Sequence, residues 1–355
     1  MANPIRVAII GAGIGASHLK GYRALPDRFT VSVLCDLDQE RAAKVAGAAP
    51  SIRIEPDLDR VLADPNIDLI DICLPPHLHF KVSMAALTAG KHVVCEKPFV
   101  SSLHEADLLA AAVQKSGRIL SPVFQYRFGR GFAQLRALID KGLAGKAYTS
   151  SIETHWCRRA EYYDIPWRGT WKGEQGGVVL SHAIHNHDLL CYVMGNVRRL
   201  TAFTATRVNP IETEDCASIV FEMESGALAT SSITLGAADD TSHFRFCFEG
   251  FTAESGKAPY TPAEDTWHFL ARDPARQAEI DAVVNAVPEV HSGFAGFFDA
   301  LADAIEGQSG NEVTVADGRR SLEMVTAIYH TARTGGTAEL PLNHEHPLYK
   351  GWTPK

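Results

Sequence analysis

Hydrophobic positions follow one rhythm in the first half of this chain and another in the second. In residues 1–123, short apolar runs alternate with segments of helical period. Ile5–Ile10, Thr30–Cys35, Ile67–Leu74, His92–Cys95 and Ile119–Phe124 read as strands, and Ser17–Leu25, Leu78–Ala89 and Leu103–Val113 as helices, with Gly90 stopping the second helix. Strands apolar on both faces and separated by helices predict a parallel sheet covered on both sides. After Gly129 a helix to about Gly142 precedes strand-like stretches at Ala147–Thr154, Arg199–Val208, Cys216–Glu222, Leu228–Leu235 and Phe244–Phe248. Several alternate apolar and polar residues, as an antiparallel sheet with one solvated face does. Gly177–Met194, Gly293–Ile305 and Asp317–Arg333 read as helices, whereas residues 250–290 show no clear period. The pattern predicts an α/β domain with a doubly wound parallel sheet over 1–123. A second domain with a mainly antiparallel sheet follows over 124–355.

The first strand runs into Gly11-Ala12-Gly13-Ile14-Gly15-Ala16, a GxGxxA turn that opens a helix. Gly11 permits the tight turn, Gly13 lets backbone approach a pyrophosphate, and Ala16 is small enough for helix to pack on strand. The N–H groups of the helix N-terminus, Ile14 and Gly15 included, then face the anion. Asp36 ends the second strand, where a carboxylate accepts hydrogen bonds from the adenosine ribose and repels a 2′-phosphate. These residues predict a Rossmann domain binding NAD in preference to NADP, with Asp38 and Arg41 close to the selecting position.

Composition narrows the setting. With 46% hydrophobic and 21% charged residues the chain is globular in type, and its length suits two cores. No stretch approaches the roughly 18 apolar residues of a spanning helix, so no membrane association is expected. A net charge of −8 argues against nucleic acid as a partner. The seven cysteines form no CxxC pair, which points to a reducing compartment, with the cytoplasm as the expected location. Val7–Ile14 follows Arg6 as a leader's apolar core would, but three glycines interrupt it, so it reads as strand and turn.

The segment Asp68–Pro98 resembles the Gfo/Idh/MocA family of sugar and polyol dehydrogenases, which includes glucose–fructose oxidoreductase and inositol 2-dehydrogenase. Leu74-Pro75-Pro76-His77-Leu78-His79 matches the family's turn after its fourth strand, with Leu74 in place of a threonine, and Glu96-Lys97-Pro98 matches its tripeptide after the fifth. The resemblance implies cofactor contacts from Leu74, Pro75, His79, Glu96, Lys97, Gln125 and Arg168. Lys97, at the carboxyl end of a parallel strand, is suited to hydrogen-bond the reacting oxygen and to stabilise developing alkoxide character.

Gly176 to Asp188 matches the family's second catalytic segment, which places the catalytic histidine at His185 and the final aspartate at Asp188. Ser181 falls where an acid is usual, and Ala183 replaces a glycine. On one continuous helix Ser181, His185 and Asp188 share a side, with His182 beside them. His185 is the expected general base and Ser181 and His182 are expected on the substrate. His182, His185 and Asp188 also have spacing suited to zinc, but the family's chemistry needs no metal and none is expected. Trp156, Arg158, Tyr162, Trp167, Arg168 and Trp171 form an aromatic and basic stretch of the kind that packs on sugar rings. Tyr126, Trp156, Arg158 and Trp167 are the expected substrate contacts from outside the histidine segment.

The resulting expectation is an NAD-dependent dehydrogenase for a secondary hydroxyl of a sugar, polyol or derivative. The resemblance implies that 124–355 is an α+β domain with a large open, mainly antiparallel sheet, and that a homodimer or homotetramer forms through this C-terminal sheet. Two alternatives share the motifs: NAD-assisted glycoside cleavage through transient sugar oxidation, and a dinucleotide-binding regulator without turnover.

Overall fold

The computed structural model describes residues 3–47, 52–308 and 310–354. It comprises two compact units, Met1–Gln125 with Phe294–Arg320, and Tyr126–Gly293 with Ser321–Lys355. The sequence reading placed a single division after residue 123; Phe294–Arg320 belongs to the first unit despite its place in the chain.

In the first unit, strands β1 (Ile5–Ile10), β2 (Phe29–Cys35), β3 (Arg53–Glu55), β4 (Leu69–Ile72), β5 (His92–Cys95) and β6 (Leu120–Pro122) form one sheet. Their order is β3-β2-β1-β4-β5-β6 and every pairing is parallel. Helices α1 (Gly15–Arg23), α2 (Gln39–Ala46), α3 (Leu58–Ala63), α4 (His79–Thr88) and α5 (Leu103–Ser116) connect them. This is the doubly wound arrangement the apolar runs predict, and its order reverses between β1 and β4, where such sheets take ligands. Strand β3 and helices α2 and α3 were not assigned from sequence. The late return of Phe294–Arg320 has a packing cause: Tyr22 of α1 stacks on Phe298 at 3.7 Å. A Cβ at Gly21 would meet Phe294 and Phe298 at 2.8 Å, so that glycine admits the aromatic face.

In the second unit, α6 (Arg130–Asp140) precedes a sheet of β7 (Ala147–Cys157), β8 (Val197–Ala205), β9 (Cys216–Met223), β10 (Leu228–Thr234), β11 (Gly236–Phe248), β12 (Phe251–Ser255), β13 (Trp267–Ala271) and β14 (Ala338–Glu339). The order is β13-β12-β11-β7-β10-β9-β8-β14, antiparallel except between β7 and β10. One face is core, with Phe244, Phe246, Phe251 and Trp267 buried. Phe203, Val220, Leu228 and Leu270 are exposed. Residues 250–290, left unassigned above, hold β12, β13 and α9 (Gln277–Ala286).

The segment read as one helix over Gly177–Met194 is two, α7 (Val178–Ser181) and α8 (Ile184–Met194). Helices α10 (Gly293–Ile305) and α11 (Val315–Thr334) match the two late helical segments of the sequence. No helix among the described residues is long and apolar enough to cross a membrane.

Candidate active site

The cofactor side is built by the first unit. Gly11 has φ +105°, and a Cβ there would lie 2.4 Å from the Cys73 carbonyl oxygen, so the turn excludes any larger residue. Around a Cβ on Gly13 nothing lies within 4 Å, which leaves the backbone open to a close-approaching group. The close contact of helix on strand falls at Gly15, whose Cβ would meet Ile9 at 2.8 Å.

Asp36 accepts hydrogen bonds from Ala12 N at 2.7 Å and Asp38 N at 2.9 Å, and pairs with Arg41 at 2.8 Å. Burial alone would raise its pKa; the two N–H donors and the Arg41 guanidinium outweigh it and hold the carboxylate below its ordinary value.

His79 lies between the loops that follow β4 and β5. Its buried ring sets Nδ1 2.8 Å from the Pro98 carbonyl oxygen and Nε2 2.8 Å from that of Leu74. With each ring nitrogen at hydrogen-bond distance from a backbone oxygen, its side chain ties the loop after β4 to the loop after β5.

Lys97 lies two residues past the end of β5, with a cis peptide bond to Pro98, and is half-buried. Its backbone N–H donates to Glu96 Oε2 at 2.9 Å. Glu96 Oε1 lies 3.1 Å from His18 Nε2, and His18 Nδ1 lies 2.8 Å from Asp71 Oδ2. Burial would lower the His18 pKa, but Asp71 and Cys73 raise it well above the ordinary histidine value. A buried imidazolium between two carboxylates thus links the helix after the glycine turn to the peptide of Lys97. His18 was absent from the sequence reading; its position one turn into α1 was the available signal. His18, Asp71 and Cys73 cluster tightly enough for a metal, yet hydrogen bonds already use them, and burial drives the Cys73 thiol far from ionisation. Gln125 Oε1 is buried without a hydrogen-bond partner. A bare Gly13, a ribose-type carboxylate and an orphaned amide oxygen fit a dinucleotide.

The second unit builds the histidine side. Gly177 N and Val179 N donate to the Glu214 carboxylate at 3.1 and 3.0 Å, as does the Tyr329 hydroxyl at 2.9 Å. A Cβ at Gly177 would lie 1.9 Å from the Glu214 carbonyl oxygen, which explains the paired glycines. The Val178 carbonyl then accepts both His182 N at 3.1 Å and Ala183 N at 2.8 Å. The second bond spans five residues, and such a wide turn shifts the helical register. Ser181, His185 and Asp188 therefore do not form the common stripe that a continuous helix implies.

Three groupings result. His185 is buried and stacks on Tyr126, ring centroids 4.4 Å apart. Asp188 takes both Arg127 Nε at 2.7 Å and Arg127 Nη2 in a buried bidentate pair, so its oxygens do not join the two histidines in a metal set. Ser181 and His182 form the third with Trp156, Arg158, Tyr162 and Arg168. Trp156 is almost fully enclosed, its Nε1 donating to Ser242 Oγ at 3.2 Å and its ring edge-on to His182 at 5.2 Å. Arg158 pairs with Asp240 at 3.0 Å, while Trp167 stays at the exposed rim beside Arg168. Arg127 emerges as the partner of Asp188 only in the structure, and Glu214 was missed, for which the chain offers no local signal.

Burial raises the Glu214 carboxyl to about 7 from 4.5. Between those values the folded chain keeps a proton that the unfolded chain has released, so this group's contribution makes stability fall as pH rises. Glu214→Gln should remove the trend. The unfolding free energy of wild type relative to the variant should drop by up to about 3 kcal/mol between roughly pH 5 and pH 7.5. Comparing the two proteins cancels His187, which burial lowers to about 4 and which acts in the opposite direction. A difference independent of pH in denaturant titrations contradicts the assignment.

A parallel-sheet unit fit for a dinucleotide and a second unit whose histidine-bearing helix packs on an open sheet define a two-part nucleotide-dependent oxidoreductase. The chain belongs to the GFO/IDH/MocA oxidoreductase family: residues 5–124 match its NAD-binding Rossmann domain and residues 132–253 its C-terminal domain. YrbE of Bacillus subtilis, an uncharacterized oxidoreductase, is 31% identical over 77% of this chain and 80% of its own. D-glucoside 3-dehydrogenase of Escherichia coli is 30% identical over 55% of each chain. The WlbA dehydrogenase of Bordetella pertussis, solved in complex with NADH and UDP-GlcNAcA, superposes with a TM-score of 0.83 at 28% identity, covering 97% of this chain and 99% of its own.

Proposed function

We propose that this chain oxidises, or in reverse forms, a secondary hydroxyl of a sugar, polyol or sugar derivative, with NAD as hydride carrier. One observation carries the reading: a half-buried lysine stands at the carboxyl end of β5 in a sheet whose first turn is bare at Gly13. The glycine turn with Ile14 and Gly15, Asp36, Leu74, Pro75, Glu96, Lys97, Gln125 and Arg168 hold the dinucleotide, which when bound supplies a hydride acceptor at its nicotinamide. His185 takes the hydroxyl proton. The Lys97 ammonium donates a hydrogen bond to the same oxygen and stabilises charge developing on it. Tyr126, Trp156, Arg158, Trp167, Ser181 and His182 line the substrate side. The substrates in the names of D-glucoside 3-dehydrogenase and of the WlbA complex are carbohydrates, which supports that class here. A panel of sugars, inositols, sugar acids and glycosides should yield NADH in proportion to oxidised product. Product without matching NADH would favour the cleavage reaction, and NAD binding without turnover across the panel would favour a regulator.

Asp36 sets the cofactor preference. Asp36→Ser removes the charge facing a 2′-phosphate and releases Arg41 to pair with it. The ratio of kcat/KM for NAD over NADP should fall by roughly 10²-fold, about 2.7 kcal/mol; an unchanged ratio refutes this role.

The exposed sheet face with Phe203, Val220 and Leu228 forms the homodimer or homotetramer interface. Val220→Arg should reduce the mass measured by light scattering to that of one 38.6 kDa chain; an unaltered multimer would exclude this face. The seven cysteines are all free thiols, which suits a reducing cytoplasm.

A further inference from the structure

The first unit carries a groove at the amino ends of β1, β4 and β5, the edge of the parallel sheet opposite the glycine turn. Its volume is about 840 Å³, the size of a small-molecule site. Arg6, Asp68, Lys91, His92 and Arg118 are among the residues that line it, all of them within this unit. Three cations against one carboxylate make a local excess of positive charge in a chain whose net charge is −8. That carboxylate is already engaged. Asp68 accepts from Arg6 N at 2.9 Å and from Arg6 Nε and Nη2 at 2.8 Å each. Lys91 is almost fully buried and donates to the Asp64 and Ile67 carbonyl oxygens, both at 2.7 Å, which fixes its ammonium in the wall.

His92 opens β5 and Arg118 lies just before β6. The Ile119 backbone N–H donates to His92 Nδ1 at 3.1 Å. A backbone N–H only donates, so Nδ1 carries a lone pair. Burial and the nearby Arg118 push the His92 pKa down to about 4, so at neutral pH the ring is uncharged and its one proton sits on Nε2. That nitrogen lies 3.4 Å from Arg118 Nη1, which also carries only hydrogens. The contact is therefore donor against donor, and among the described residues no acceptor bridges the two. An acceptor oxygen placed between them satisfies both, and a charged oxygen gains more than a neutral one from the guanidinium and from Lys91.

We propose that this groove is a second ligand site, which binds a small molecule through an oxyanion, a phosphate or a carboxylate, whose oxygens accept from His92 Nε2 and Arg118 Nη1 beside the Lys91 ammonium. The site is separate from the glycine turn and does not rest on the dehydrogenase reading. Removing either donor leaves the other with half its purpose and should weaken binding by about tenfold or more.

The test is a calorimetric titration of the full chain with saturating NAD, so that the glycine turn is filled. Inorganic phosphate and succinate are the probes, with chloride at equal ionic strength as the reference. At least one probe should bind saturably with a Kd in the millimolar range or tighter. Tighter phosphate points to a phosphorylated ligand and tighter succinate to a carboxylate. Arg118→Gln and His92→Asn should each raise that Kd by at least about tenfold. Arg118 is exposed, and asparagine keeps an acceptor for the Ile119 N–H while removing the outer donor. Equal Kd values in wild type and both variants mean an adventitious ion only and overturn the proposal, as does binding of both probes no tighter than that of chloride. A second measurement needs no ligand. The ¹⁵N imidazole signals that disappear in His92→Asn should report an Nε2–H tautomer at neutral pH; an Nδ1–H tautomer overturns the proposal on its own.

Discussion

Replacing Lys97 by alanine should lower kcat by about 10²–10³-fold, roughly 3–4 kcal/mol of barrier, while the Kd for NAD rises by no more than about tenfold, the loss of one of its several contacts. The direction follows from the site. The lysine follows a parallel strand at the edge where such sheets present ligands. Its peptide is held by Glu96, itself hydrogen-bonded through His18 to Asp71, so removing the side chain leaves the backbone support standing. The glycine turn and Asp36 are untouched, so dinucleotide affinity survives. Lys97→Arg should not rescue: a planar fork does not place one charge where the ammonium sits. Turnover within threefold of wild type for Lys97→Ala would remove this residue from the chemistry.

Asp188→Ala should cost about 3–5 kcal/mol of stability, because it strands the Arg127 guanidinium in a site that both side chains leave less than 5% exposed. For a unit of this size that lowers Tm by roughly 10 °C. The guanidinium also lies 4.9 Å over the Tyr192 ring, so the pair fastens the Gln125–Arg127 turn to α8. Tyr126, in that turn, stacks on His185; loosening it should also lower kcat. Removing both charges with Arg127→Met and Asp188→Leu should recover most of the loss, since a buried pair contributes little beyond what its apolar replacement does. Calorimetry showing the double variant as unstable as the single one would mean that the pair, and not the stranded charge, governs this region.

Most of the cofactor unit was legible because its determinants are local. A strand, a GxGxxA turn and a strand-end carboxylate lie close in sequence, and strands buried on both faces write continuous apolar runs. The histidine side was legible in composition but not in geometry. Periodicity assumes 3.6 residues per turn, and the wide turn at Val178–Ala183 breaks that assumption without any glycine or proline to mark it. Strands β12 and β13, five residues each, alternate correctly, but the long loop between them hides the pattern. The partners of Asp188 and the acceptor over Gly177 come from distant parts of the chain, and the return of Phe294–Arg320 to the first unit rests on aromatic packing that no local signal records.

The central claim is that one ammonium and one imidazole serve the same oxygen beside the cofactor. A crystal structure of the Lys97→Met variant or of the wild-type enzyme with NAD and the sugar found by screening tests it most directly. In the wild-type complex, Lys97 Nζ and a His185 ring nitrogen should both lie within about 3.2 Å of one substrate oxygen, with its carbon facing nicotinamide C4. In the variant the sugar should remain bound with the His185 contact kept. A sugar whose oxygen meets neither group, or meets each at a different hydroxyl, would contradict it.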